Sequence, residues 1–219
     1  MPKLTPTKVV IEAGTKRTFA CALDWPGWAR SGRDEEGALE ALAAYAPRYR
    51  RVALAAGASF AAGAGEALEV VERLPGSATT DFGAPGTVAG AERTAMTAAE
   101  ARRRAALVGA TWAAFDAVVA RAPAVLRKGP RGGGRDRDAV AQHVCAAEHA
   151  YARKLGLKLA EPDASDIVAV AAVRGAIADA LRAARDGTPT SATGWPPRYA
   201  ARRIAWHVLD HAWEIEDRS

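Results

Sequence analysis

Two histidines near the end of the chain, His207 and His211, stand one helical turn apart. Helical residues advance about 100° each, so these imidazoles lie about 40° apart on one face and can reach the same ion. Glu214 follows about 20° from His207 on that face. The spacing therefore predicts a metal-binding clamp with an acidic neighbour.

Two imidazoles do not complete a catalytic site, since a catalytic zinc takes three protein ligands and keeps a fourth position open. His143 is the expected third ligand, because it lies on the apolar stripe of another predicted helix. His149 lies about 120° around that helix from His143, so the two do not share an ion easily. We predict a site of His143, His207 and His211, and the alternative is ordinary packing of histidines at a helix interface.

Other reactive side chains lie near these histidines in sequence. Glu214 and Glu148 are expected to orient a ligand or to act as a general base. Arg202 and Arg203 precede the clamp by one turn and could hold a carboxylate of a substrate or cofactor, with a solvated face as the alternative. Cys145 is expected to be a small buried hydrophobe rather than a ligand.

The composition is that of a globular protein: 219 residues, of which 49% are hydrophobic and 25% charged. No apolar run approaches the roughly 20 residues that cross a bilayer, and the first residues lack the apolar centre of a signal peptide. The two cysteines, Cys21 and Cys145, predict no disulfide framework. We therefore expect a cytoplasmic protein without a membrane partner.

The net charge of +5 is densest in the glycine-rich stretch 127–138. Backbone amides of such a loop could hold phosphate or an anionic substrate, and a solvated connector is the alternative. The stretch lacks the spacing of a P-loop. It also contains no aromatic residue for base stacking, so nucleic acid is not an expected partner.

The positions of these residues depend on helices in the last 125 residues of the chain. Apolar periodicity, capping residues and Gly or Pro stops predict four helices. They are Thr97–Arg121, Asp136–Leu155, Ile167–Arg185 opened by Asp163, and a last helix that follows Pro196-Pro197. Four such helices predict a bundle, a fold that builds metal sites from facing helices.

The first ninety residues have a different pattern. Alternation predicts strands at Lys8–Ala13, Thr18–Leu23 and Leu68–Arg73, and an apolar stripe predicts a helix over Asp34–Tyr49. A Gly- and Pro-rich stretch near 76–94 is the expected linker. The predicted fold class is α+β, with a small α/β domain at 1–90 followed by an all-α four-helix bundle at 95–219.

Residues 95–218 resemble the DinB/YfiT-like superfamily of four-helix bundles. The resemblance rests on His143 with Glu148 and Tyr151 after it, and on His207 and His211 in the last helix. It implies a bound divalent metal, zinc or nickel. Iron is also allowed, since a related bundle supplies the three histidines of an iron site in ergothioneine-forming sulfoxide synthases. Some members act with a low-molecular-weight thiol, as in mycothiol-dependent maleylpyruvate isomerase and the bacillithiol transferases.

The N-terminal part resembles a HicB-like domain over about forty residues. The resemblance rests on Phe19–Trp28, on Gly32 and on the acidic helix start Glu35–Leu39. HicB proteins are antitoxins that often carry a separate DNA-binding segment, and none is identified in this sequence. A substrate lid or a dimer module is an equal alternative.

Together these patterns predict a metal-dependent enzyme that acts on a small molecule. Three neutral imidazoles leave a metal ion its charge and an open position, so it can lower the pKa of a bound water or thiol. The resemblance to DinB-like proteins implies a thiol-dependent transferase or isomerase, and a metal-activated hydrolase is also expected. The alternative is a non-catalytic HicB-like regulatory or interaction protein with a structural metal-binding bundle. A homodimer is compatible with either.

Overall fold

The computed structural model describes residues 5–129 and 133–219, so the first four residues and residues 130–132 of the basic loop lie outside it. In the described ranges the protein is a mixed α+β fold with seven α-helices and a four-stranded sheet. The strands are β1 (Thr7–Ala13), β2 (Thr18–Ala22), β3 (Ala29–Gly32) and β4 (Leu68–Pro75). Their order is β3-β2-β1-β4, in which β1 runs antiparallel to β2 and parallel to β4.

Strand β3 was not predicted, because four residues with one alanine and one glycine carry no strand periodicity. It pairs with β2 because a tight turn reverses the chain, closed by a 3.0 Å hydrogen bond from the Trp28 amide to the Trp25 carbonyl. Gly27 occupies the left-handed region in this turn, with φ 94°. A Cβ there would also lie 2.9 Å from the Leu209 side chain, so only glycine fits.

The helix predicted over Asp34–Tyr49 is two helices, α1 (Glu35–Ala44) and α2 (Ala46–Ala55). Asp34 caps α1 by accepting a 2.9 Å hydrogen bond from the Gly37 amide. Pro47 divides the two helices, because it has no amide hydrogen and its ring excludes the carbonyl four residues earlier. The residues of α1 and α2 pack on the sheet in one apolar cluster that includes Val9, Ile11, Ala20, Trp28, Leu42 and Tyr49.

The stretch 76–94 is not the open linker that its composition predicts. It contains a short helix, α3 (Ala78–Phe82), and a 3-10 turn at Gly90–Arg93. Thr80, Ala89 and Glu92 are buried. Glycine and proline here shape a packed segment, and the packing depends on contacts with the last helix of the chain.

Four long helices follow, close to the predicted positions: α4 (Ala98–Arg121), α5 (Arg137–Lys154), α6 (Ile167–Ala183) and α7 (Pro197–Arg218). Each of α4 and α5 packs against both α6 and α7. They enclose one apolar cluster that includes Val108, Phe115, Val144, Ile177, Ile204 and Val208. None of the helices in the described ranges combines the length and the apolar character needed to cross a membrane.

The predicted opening of α6 at Asp163 is wrong. Asp166 caps the helix by accepting a 2.9 Å hydrogen bond from the Ala169 amide. The Asp163 carboxylate accepts a 2.8 Å hydrogen bond from the Ser165 amide in the preceding turn. Both aspartates suit a cap, and the geometry of the turn determines which one the helix uses.

The sheet and the long helices share apolar contacts. Leu107 of α4 and Leu209 and Trp213 of α7 belong to the same apolar cluster as Trp28 and Tyr49. An ion pair of 2.9 Å joins Arg30 of β3 to Asp210 of α7. Helix α7 is therefore held from both sides, while the division into two domains stays a prediction.

Candidate metal centre

Helix α7 is buried along most of its length, which fixes the direction of each side chain. Pro197 stands in its first turn, where a missing amide hydrogen costs nothing. Trp206 and Trp213 face the N-terminal part, at ring distances of 5.9 Å from Phe19 and 4.9 Å from Tyr45. Because these faces are occupied, the histidines of α7 point towards α5.

His143 of α5 meets His207 and His211 of α7, and one ring nitrogen of each lies within 4.8 Å of the others. The Nε2 atoms of His143 and His207 are 3.2 Å apart. Two ligands that are each about 2.0–2.1 Å from a tetrahedral zinc lie roughly 3.3–3.4 Å apart, so this separation fits a shared ion. In the described part of the chain no fourth His, Cys, Asp or Glu joins the group. The arrangement could hold a metal with one position left for another ligand.

Glu214 supports this group through His211. Its Oε2 lies 2.8 Å from His211 Nδ1, and its Oε1 accepts a 2.6 Å hydrogen bond from Arg218. The hydrogen bond with His211, aided by Arg218, holds the pKa of Glu214 below its usual range. An ionised Glu214 keeps the hydrogen of His211 on Nδ1 and leaves the Nε2 lone pair for a metal.

The environment keeps the other two imidazoles neutral. Burial lowers the pKa of His207 well below its usual range, and the neighbouring His211 and His143 lower it further. Burial also lowers the pKa of His143, with smaller contributions from His211 and Arg135. A neutral imidazole has the lone pair that a metal needs, so both residues suit coordination at neutral pH.

Glu148 does not lie with the histidines, contrary to its expected role there. Its carboxylate accepts hydrogen bonds of 2.9 and 3.3 Å from Arg174 of α6. His149 also lies apart, with Nε2 3.0 Å from the Leu159 carbonyl oxygen. Cys145 is buried, and its thiol donates to the Pro162 carbonyl oxygen at 3.4 Å. Glu148 follows His143 by five residues, and it therefore lies on a different face of α5.

Arg202 is not available for a substrate or cofactor, contrary to prediction. Its guanidinium donates to both Glu92 oxygens at 2.6 and 2.9 Å and to the Thr87 carbonyl at 2.9 Å. The side chains of this pair are 3% and 4% exposed. Sequence periodicity could not show this pairing, because Glu92 reaches α7 only through the fold of the 3-10 turn.

The structure adds aromatic residues that the sequence did not assign to the site. The ring of Tyr151 lies 5.6 Å from that of His207 and 5.0 Å from that of Trp195. Tyr151 follows His143 by eight residues, about 80° around α5, and this spacing could have indicated it. Trp195 comes from the segment before α7, where no periodicity predicts its position.

In comparisons with protein-family models, curated proteins and solved structures, nothing matches this chain. Its resemblances to DinB-like and HicB-like proteins therefore remain hypotheses. The geometry of the three imidazoles does not depend on them.

The metal-free protein should lose stability as the pH falls below about 6.5. In the unfolded chain the His207 imidazole takes up a proton near that pH, whereas the folded protein resists protonation until a lower pH. Protons therefore favour unfolding, by at most about 1.4 kcal/mol per pH unit for this residue. Urea unfolding between pH 5 and 7.5 measures the effect. A His207→Leu variant should show a flatter profile, and identical profiles would contradict the expectation.

Proposed function

We propose that this chain is a divalent-metal-dependent enzyme that acts on a small molecule at His143, His207 and His211. The observation that supports the proposal is the approach of three imidazoles from two helices to within the distance of one ion. His211 is 15% exposed at its side chain, so solvent reaches the group. Nitrogen ligands of this kind suit zinc and nickel, and they also suit iron.

When bound, the ion would lower the pKa of a water or thiol and polarise a substrate oxygen. The protein's part is to hold three neutral nitrogens and to keep the fourth position free of protein ligands. Glu214 acts here as a positioning residue, since its two oxygens are occupied by His211 and Arg218. The reaction we favour is transfer or isomerisation with a low-molecular-weight thiol, or else hydrolysis by metal-bound water.

The fold supports the same interpretation. Helices α4 to α7 suit a DinB-like bundle, and β1 to β4 with α1 and α2 suit a HicB-like unit. Both cysteines are free and buried, in agreement with a reducing, cytoplasmic setting for thiol chemistry.

The test is elemental analysis of the purified chain, followed by thermal unfolding with added thiols. We expect one zinc, nickel or iron per chain and a raised unfolding temperature with a thiol only when the metal is present. The same thiol should give no shift after the metal is removed with a chelator. A chain without metal, and unable to take up zinc or nickel, would contradict the proposal and favour the interaction-module alternative.

A further inference from the structure

Arg203, His207 and His211 form one stripe along α7, at intervals of four residues. Neighbours on such a stripe lie about 5–6 Å apart at their Cβ atoms. The ring of Tyr151 lies beside both Arg203 and His207. Its centroid is 5.8 Å from the Arg203 guanidinium and 5.6 Å from the His207 ring. Arg203 therefore borders the histidine group on the side towards the start of α7.

Within the part of the chain that the structure describes, Arg203 differs from other arginines with little exposed surface in having no acidic partner. Arg104, Arg174 and Arg202 pair with Asp24, Glu148 and Glu92 respectively. Arg203 is only 9% exposed, yet within residues 5–129 and 133–219 it makes no ion pair and its buried Nη1 has no hydrogen-bond partner. Its guanidinium lies 4.7 Å from the ring centroid of Trp206. An aromatic face offsets only part of the cost of burying a charge, and the remaining donor still favours an anion.

The surrounding charges favour an anion as well. Arg135, two residues before the first residue of α5, adds positive charge that acts on both His143 and His207. Glu214, the carboxylate that contacts the histidine group, is occupied by His211 and Arg218, and the neighbouring Asp210 is paired with Arg30. A metal ion would raise the local positive charge further. The region beside the open position therefore has a surplus of positive charge.

We propose that Arg203 binds a carboxylate of the small molecule that occupies the open position of the metal centre. The guanidinium offers paired donors that match a carboxylate, and among the described residues no acidic side chain pairs with them. The inference rests on the proposed function, and it narrows the substrate or thiol to an anionic compound. Arg202, one residue earlier, cannot substitute because Glu92 occupies it.

The test uses the full chain loaded with Co²⁺, whose visible absorption reports thiol coordination. Three probes separate the contribution of the thiol from that of the carboxylate. They are 3-mercaptopropionate, 3-mercapto-1-propanol and propionate. We expect 3-mercaptopropionate to bind at least about tenfold more tightly than the neutral thiol. Charge-assisted hydrogen bonds between Arg203 and the carboxylate would provide this difference in affinity. Propionate should bind weakly and compete with 3-mercaptopropionate.

Arg203→Met should abolish the preference for the anionic thiol and leave cobalt content unchanged. Arg203→Lys should keep part of it, because lysine retains the charge without the planar fork. Arg102→Met, which removes an exposed arginine of α4, is the matched control and should keep the full preference. A preference that persists in Arg203→Met with full cobalt content overturns the inference and leaves the metal centre intact.

A failure of the metal centre itself is distinguishable. If neither the wild type nor any variant binds cobalt, the proposed function fails. The anion site is then tested separately, by thermal unfolding of the metal-free chain with benzoate or benzamide. Stabilisation by benzoate alone, lost in Arg203→Met, would support an anion site at Arg203. Equal effects of benzoate on wild type and variant would overturn it. If Arg203→Met does not fold, Arg203→Lys and Arg203→Gln replace it in both the thiol-binding and the benzoate experiments.

Discussion

Replacing His207 with alanine is expected to lower the affinity of the protein for Zn²⁺ at least about a hundredfold. Loss of a residue that only orients a ligand costs about 10–100-fold, and loss of the ligand itself exceeds that range. His207 is the most buried of the three imidazoles, and its ring lies 5.1 Å from that of His143 and 4.7 Å from that of His211. Competition titration with a chromogenic chelator, at neutral pH, measures the change.

The matched control is His149→Ala, which removes a histidine from the same helix as His143. His149 contacts the Leu159 carbonyl and Glu161, so its loss should leave zinc affinity within about twofold of wild type. Full metal content in a His143→Ala/His207→Ala double variant would refute the assignment of the site. A large loss in His149→Ala would indicate that the effect of His207→Ala is structural.

The second large effect is expected from Arg202→Met, which should lower the free energy of unfolding by about 3–5 kcal/mol. The variant leaves the Glu92 carboxylate buried without its cation, and that carboxylate also caps the 3-10 turn by accepting from the Ala89 amide at 2.9 Å. Urea unfolding followed by circular dichroism measures the difference. Segment 76–94 should become sensitive to protease in this variant, because Arg202 also binds its Thr87 carbonyl.

Two further variants define the cause of that loss. The double variant Arg202→Met/Glu92→Met removes both charges and should recover most of the stability, since the cost comes from the charge that stays unpaired. Arg182→Met breaks the exposed pair with Asp179, with side chains 52% and 78% exposed, and should change stability by less than about 1 kcal/mol. Equal losses in Arg202→Met and Arg182→Met would show that burial of the Arg202–Glu92 pair is unimportant.

Much of the helical architecture could be predicted from local patterns. Thr97 caps α4 by accepting from the Glu100 amide, and Pro197 stands in the first turn of α7. The spacing of His207 and His211 placed two imidazoles on one helical face, because residues four apart on a helix are neighbours. The choice of His143 over His149 followed from the apolar stripe of the predicted helix, on which His143 lies. These features depend on helix geometry, which a few neighbouring residues determine.

The partners of the charged residues were decided only by the tertiary structure. Arg202 and Arg203 are adjacent and identical in type, yet one is paired with Glu92 and the other lies against Trp206. Glu148 and Glu214 both follow a predicted metal ligand by a few residues, but only Glu214 contacts one. A long-range ion pair depends on where another segment packs, and the sequence near either residue does not determine that position. Helical periodicity therefore determined which side chains share a face, and the packing of segments 110 residues apart determined which of the two arginines is paired with Glu92.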